Sequence, residues 1–83
     1  MDVEETRAMA RQVEDAAGDV EQVAQELTAA LEQVDWTGPD ADRFRAMWHA
    51  ELLPSLGQAR DAIRDLASRA RADAAAQEAT SSV

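Results

Sequence analysis

Few side chains in this sequence are equipped for chemistry. There is one histidine, His49, and there is no cysteine and no tyrosine. A metal centre would need two or three further ligands on the face that carries His49. The positions one helical turn away are Arg45 and Leu53, so no i,i+4 ligand pair includes it, and Asp42 and Glu51 are near only in sequence. No thiol is available as a nucleophile, and no serine or threonine has an evident neighbouring base. The 17 acidic residues could pair for acid–base work, but a pair of helices offers no pocket to hold a substrate. The sequence therefore predicts no catalytic, cofactor or metal site and no enzyme. What remains is the triplet Trp36-Thr37-Gly38 and two apolar seams on either side of it, features suited to recognising another protein.

The elements that must position these residues are legible from periodicity. In the first segment apolar residues fall at Met9, Val13, Ala16, Val20, Val23, Leu27, Ala30 and Val34, in alternating steps of four and three. That is a heptad seam, and it predicts an amphipathic helix over about residues 3–35. Ala10, Ala17, Ala24 and Leu31 widen the seam on one side, which suits a helical bundle better than a two-stranded coil. Asp2, with Glu5 three residues on, has the spacing of a capping box, and Glu4 and Glu5 complement the helix dipole. Gly18 is a weak point inside this helix.

The period breaks at residues 36–39. Gly38 tolerates unusual backbone angles, and Pro39 suits the first position of a new helix. Thr37 and Asp40 have a capping spacing. So short a connection predicts antiparallel neighbours. The second helix, expected over about residues 40–77, carries Phe44, Trp48, Leu52, Leu56, Ala59, Ile63, Leu66 and Ala70 in steps of 4, 4, 4, 3, 4, 3 and 4. Trp48 needs an acceptor for its indole N–H if it is buried. Pro54 cannot donate to the carbonyl of Ala50, so a bend is expected there, with a break into two helices as the alternative. Residues 78–83 are expected to form a flexible tail.

The expected fold is thus a single all-α domain over residues 1–83, an antiparallel two-helix hairpin turning at Trp36-Thr37-Gly38. Two rods of this length touch along one line, and each apolar stripe is wider than that. A long exposed apolar strip is uncommon in a soluble monomer, so pairing with a second hairpin into a four-helix bundle is predicted. Val13, Val20, Val23, Leu27, Leu31 and Val34 on the first helix, with Phe44, Trp48, Leu52, Leu56, Ile63 and Leu66 on the second, form the expected core or dimer seam.

Charge narrows the partners. The formal net charge is −9, and all eight cationic residues are arginine. Ten carboxylates and two arginines lie in residues 1–35; seven carboxylates and six arginines lie in residues 36–83. Nucleic acid and anionic lipid both repel such a chain. No segment has the roughly 20 apolar residues that span a bilayer, and Met1 to Arg11 lack the pattern of a cleavable signal peptide. Stable membrane insertion is not expected, and the acidic, alanine-rich stripes also argue against a membrane-active peptide.

A long amphipathic helix, Trp36-Thr37-Gly38, then a second amphipathic helix resembles the WXG superfamily of small type VII (ESX) secretion proteins. The resemblance covers nearly the whole chain. The run Gly38-Pro39-Asp40-Ala41-Asp42-Arg43-Phe44-Arg45, followed by Trp48, is similar to actinobacterial members. The resemblance implies a helical hairpin that pairs as a homodimer, or as a heterodimer with another WXG-type protein or a larger secreted effector. It further implies export of the folded pair, uncleaved, from the cytoplasm through a complex driven by an FtsK/SpoIIIE-like ATPase, with Trp36 and Gly38 as the turn or secretion motif. Many exported pairs carry a C-terminal Tyr-x-x-x-Asp/Glu signal. Here Asp73 and Glu78 have Arg69 and Ala74 at the tyrosine position, so a partner would supply that signal or the tail is read differently. The alternative expectation, from helix pattern alone, is a cytoplasmic helical adaptor or regulatory subunit that is never exported.

Overall fold

The computed structural model describes residues 2–81, and among these the chain is helical without strands. Helix α1 runs Val3–Gln33, α2 runs Pro39–Met47, a π turn occupies Trp48–Leu52, and α3 runs Leu53–Ser81. Helical hydrogen bonding therefore continues without a break from residue 39 to residue 81, forming one second arm that packs α3 against α1. The expected tail is shorter than anticipated: residues 78–81 are helical, and residues 82 and 83 lie outside the described residues.

Helix α1 starts where its sequence signals it. The Asp2 carboxylate accepts the backbone N–H groups of Glu4, at 2.9 Å, and Glu5, at 3.2 Å, two of the donors that every helix N-terminus leaves unpaired. It ends at Gln33, two residues earlier than expected, and Val34 turns into extended backbone.

The two arms differ in length, and this shapes the turn. Helix α1 has 31 residues, whereas α2, the π turn and α3 have 9, 5 and 29. The arms are nearly flush at the open end, where Arg7 bonds Glu78. The excess of a dozen residues, roughly 18 Å at 1.5 Å per residue, projects past α1 at the turn. Five connecting residues, 34–38, extended at about 3.3 Å each, cover nearly that distance. The connection is thus a climb alongside α2 with the reversal at Gly38, not the tight turn over residues 36–39 that periodicity suggested. Thr37 does not cap α2: its N-cap is Gly38, with no side-chain hydrogen bond, and Pro39 takes the first helical position.

The π turn resolves the irregularity around Pro54. Leu53 N–H reaches back to the Trp48 carbonyl, five residues away, and the Ser55 hydroxyl donates to the Glu51 carbonyl at 2.7 Å. Apolar residues at 44, 48, 52 and 56 advance in steps of four, and each step overshoots a 3.6-residue turn. After three steps the stripe has drifted by roughly 120° around an ideal helix. One inserted residue removes about 100° of that drift. The π turn keeps the stripe on one side.

The contact between the arms is made of alanine. Among the described residues the buried ones are Ala10, Ala17 and Ala24 on α1, Ala41 on α2, Ala67, Ala70 and Ala74 on α3, and Trp48. Val13 packs against the Ala10–Ala67–Ala70 cluster. On the first arm periodicity places the seam one residue away, on Met9, Ala16 and Val23, with the alanines as its flank; on the second arm the seam residues Trp48 and Ala70 are buried. The arms instead meet on the flank, because alanine on both sides lets two backbones come close and because charges beside that line can then pair across it.

Those charges fix the register. Arg7 bonds Glu78, Glu14 bonds Arg71, and Glu21 bonds Arg64 at 2.9 Å, each pair one heptad from the next on both arms. Glu21 also meets Arg60 at 3.5 Å. These side chains are partly exposed, so each pair adds little stability. The reversed polarity of the first pair supplies specificity instead. A slip of one heptad in one direction sets Arg7 against Arg71; in the other it sets Glu14 against Glu78.

Enlarging the alanine contact should separate the arms. Ala17→Leu, at a fully buried position, is expected to cost about 1–3 kcal/mol. Ala72→Leu, on the exposed side of α3, should stay within about 0.5 kcal/mol. Urea unfolding followed by circular dichroism compares the two.

Candidate functional site

At the turn, one side chain organises the climb of the connection along α2. Arg45 donates from Nε to the Leu31 carbonyl at 3.0 Å, from Nη1 to the Trp36 carbonyl at 2.8 Å, and from Nη2 to the Val34 carbonyl at 3.3 Å. The last carbonyls of a helix have no partner within it, and a guanidinium, with five donors in a planar fork, can serve several at once. The same guanidinium lies 5.9 Å from the centre of the Trp36 ring, and Phe44 meets that ring at 5.9 Å with the planes tilted by 54°. Trp36 is therefore held between Phe44 and Arg45 while 39% of it faces solvent.

Gly38 sits at φ +113° and ψ 176°, the one positive φ among the described residues. That region is close to glycine-only, because a Cβ there crowds the backbone. Both ends of the Trp-x-Gly triplet thus have physical work. Gly38 reverses the chain, and Trp36 presents an aromatic ring clamped to α2.

Below the turn, Trp48 is 5% exposed and its indole N–H donates to the Thr28 hydroxyl at 2.9 Å. The Thr28 hydroxyl in turn donates to the Ala24 carbonyl at 2.8 Å. The buried indole has its required acceptor, and the bond ties the π turn to α1. Sequence reasoning did not identify Arg45 or Thr28. The signal available for Arg45 was the set of orphan carbonyls that must end α1; Thr28 left none, since its pairing with Trp48 depends on how the arms align.

The hairpin has two unlike sides. At about 100° per residue, positions one before or three after an alanine of the contact line fall to one side of it, and positions three before or four after fall to the other. In antiparallel arms, equivalent offsets face the same way. Glu14, Glu21, Arg64 and Arg71 occupy one side and pair there. The other side carries Met9, Val23 and Leu27 from the first arm, with Phe44, Met47, Leu52 and Leu66 from the second, all exposed; Val34, in the extended connection past α1, is exposed as well. Of the expected seam residues, Val13, Val20, Leu31, Leu56 and Ile63 are half-buried along the edge of the contact, and only Trp48 is buried. Val23, Leu27, Phe44, Leu52 and Leu66 belong to this open apolar face and not to a core, because the alanine line leaves them pointing away from the opposite arm; Val34 is exposed in the connection instead. Val23, Val34 and Leu66 are each at least half exposed, at 50%, 51% and 55%.

On the ion-paired side the sole histidine, His49, is exposed and borders a groove of about 760 Å³ between the arms. No group of three or more potential metal ligands occurs among the described residues. Hydrogen bonding to Glu78, reinforced by its negative charge, raises the Arg7 guanidinium above its ordinary value. No helix among the described residues is long and apolar enough to cross a membrane. No family model, curated protein or solved structure matches this chain.

Two substitutions test the turn. Gly38→Ala should cost about 1–3 kcal/mol, the strain of a side chain at this backbone position. Arg45→Ala should cost about 1.5–3 kcal/mol through the carbonyls it strands. Arg45→Lys keeps the charge but should recover only part of the loss, since one ammonium cannot span three carbonyls. Thermal unfolding of the three variants against the parent chain reads these differences.

Proposed function

We propose that this chain is a small substrate or secretion partner of a type VII secretion system, of the WXG kind. In this reading its hairpin pairs through the open apolar face with a second hairpin, completing a four-helix bundle, and an FtsK/SpoIIIE-like ATPase exports the folded pair. The partner is a second copy, another WXG-type protein or the helical hairpin of a larger effector.

The observation that carries the reading is the one-sidedness of the hairpin. Among the described residues, seven alanines and one tryptophan form its interior, while seven larger side chains line up on one outer face and Trp36 stands exposed beside them at the turn. An interior of that kind removes little apolar surface from water, and a small cysteine-free chain has no disulfide to compensate. Covering the face would supply the missing burial, and a second hairpin has the right length and shape for it. The opposite side carries the cross-arm ion pairs and, among the described residues, has no comparable row of exposed apolar side chains. The Trp36-Thr37-Gly38 triplet adds the family likeness, at a turn whose backbone requires its glycine.

The apolar face would serve an adaptor that never leaves the cell equally well, and export separates the two readings. Light scattering of the chain copurified at native expression should give a complex larger than the 9.0 kDa of one chain. The double variant Leu27→Glu, Leu66→Glu should disperse it while helicity persists in part. In cells, the uncleaved chain should reach the culture filtrate only when the secretion ATPase is intact. Retention in the cytosol under every condition would favour the adaptor; a lone, stably folded chain at native expression would sink the pairing itself.

A further inference from the structure

The ion-paired side holds a feature besides its ion pairs. Beyond Glu21 the ladder of cross-arm pairs stops. One heptad on from Glu21 is Thr28, whose hydroxyl is taken by Ala24 and Trp48. One heptad before Arg64 is Gly57, which has no side chain to offer. The arms enclose there the groove of about 760 Å³, with a floor that includes Val20, Ala24, Leu53 and Leu56. Its size falls within the roughly 300–1,000 Å³ typical of ligand sites. His49 and Pro54 border it beside the π turn, a feature frequent at functional sites.

Around this apolar floor the rim is acidic. Glu21, Glu32 and Asp61 face it, against Arg60, and Arg64 pairs with Glu21 from the next turn, which leaves one negative charge in surplus. Arg60 is already shared between Glu21, at 3.5 Å, and Asp61, at 3.1 Å. Glu32 makes no ion pair among the described residues. An apolar trough with surplus negative charge on its edge selects its occupant. Nucleic acid and anionic lipid are repelled, and a second copy of this chain would bring nine more negative charges. An amphipathic helix from another protein, apolar on one face and lysine- or arginine-rich at its margins, satisfies both floor and rim.

We infer that the groove between the arms at Gly57 docks a basic amphipathic helix of a partner protein, with its apolar side chains on the floor and its cations at Glu32 and Asp61. The rim residues Glu21, Thr28, Glu32 and Gly57 lie on the ion-paired side, while Val20 and Leu56 on the floor border the apolar face. The inference holds whether or not the chain is exported.

The test uses the full chain, isotopically labelled, and a synthetic 18-residue amphipathic peptide with leucine on one face and lysine on the other. A matched peptide carrying glutamate in place of lysine is the control. Titration should give saturable amide shifts centred on Thr28, Glu32 and Gly57, with no saturable response to the acidic peptide. Glu32→Lys should weaken binding by roughly tenfold, the loss of one charge-assisted contact and its replacement by repulsion. Gly57→Leu should abolish it by filling the groove: a Cβ at that position meets only the Arg60 side chain, at 3.6 Å, so the helix has room for the change. Ala29→Leu fills the groove from the first arm and should act alike, which guards against a folding defect in either variant. Absence of saturable binding, binding indifferent to both filling variants, or shifts centred on Val23, Leu27 and Leu66 would each overturn the inference.

Discussion

The structure depends on alanine meeting alanine along one line. Ala10, Ala17 and Ala24 on the first arm and Ala67, Ala70 and Ala74 on the second let two helical backbones approach closely with almost nothing between them. Close approach brings Glu14 and Glu21 within reach of Arg71 and Arg64, and, Trp48 apart, it turns the larger apolar side chains outward or to the edge. A wider contact built on leucine would have inverted this arrangement, with a substantial private core and a polar exterior. Alanine makes the hairpin thin, and its larger apolar residues are left for another surface.

The sides of the hairpin follow from that line. Residues offset one way carry alternating charges that pair across the arms and hold the register; residues offset the other way carry methionine, valine, leucine and phenylalanine. The reversed pair Arg7–Glu78 matters more for alignment than for stability, since partly exposed ion pairs contribute little but like charges brought face to face are penalised. The pairing we propose uses only the apolar side. The groove at Gly57 occupies the other, where the ladder lapses for want of a side chain.

The two irregularities of the chain serve the same geometry. The second arm is longer than the first, and the extended connection spans the difference under the control of Arg45, which satisfies three carbonyls and flanks Trp36. Gly38 then reverses direction at a backbone angle that a side chain would resist. Farther along, the π turn absorbs one residue ahead of Pro54, so that Phe44, Leu52 and Leu66 stay on one side and Trp48 reaches Thr28.

By itself the sequence determined the helices, their order and their starting signals. Heptad spacing, Asp2 before Glu4 and Glu5, and Gly38 before Pro39 are local features, and local hydrogen bonding and backbone sterics act on them without reference to the rest of the chain. It also determined that the apolar surface exceeds what two rods can hide. Tertiary structure alone decided which stripe faces inward. Periodicity locates an apolar face to within one residue of rotation, about 100°, and cannot tell a row of alanines that brings backbones together from the neighbouring row of valines and leucines. The choice was settled by contacts across the arms, the fit of alanine on alanine and the pairing of charges far apart in sequence. The same holds for Arg45 and Thr28, whose partners lie 9 to 20 residues away and become neighbours only once the chain has folded back.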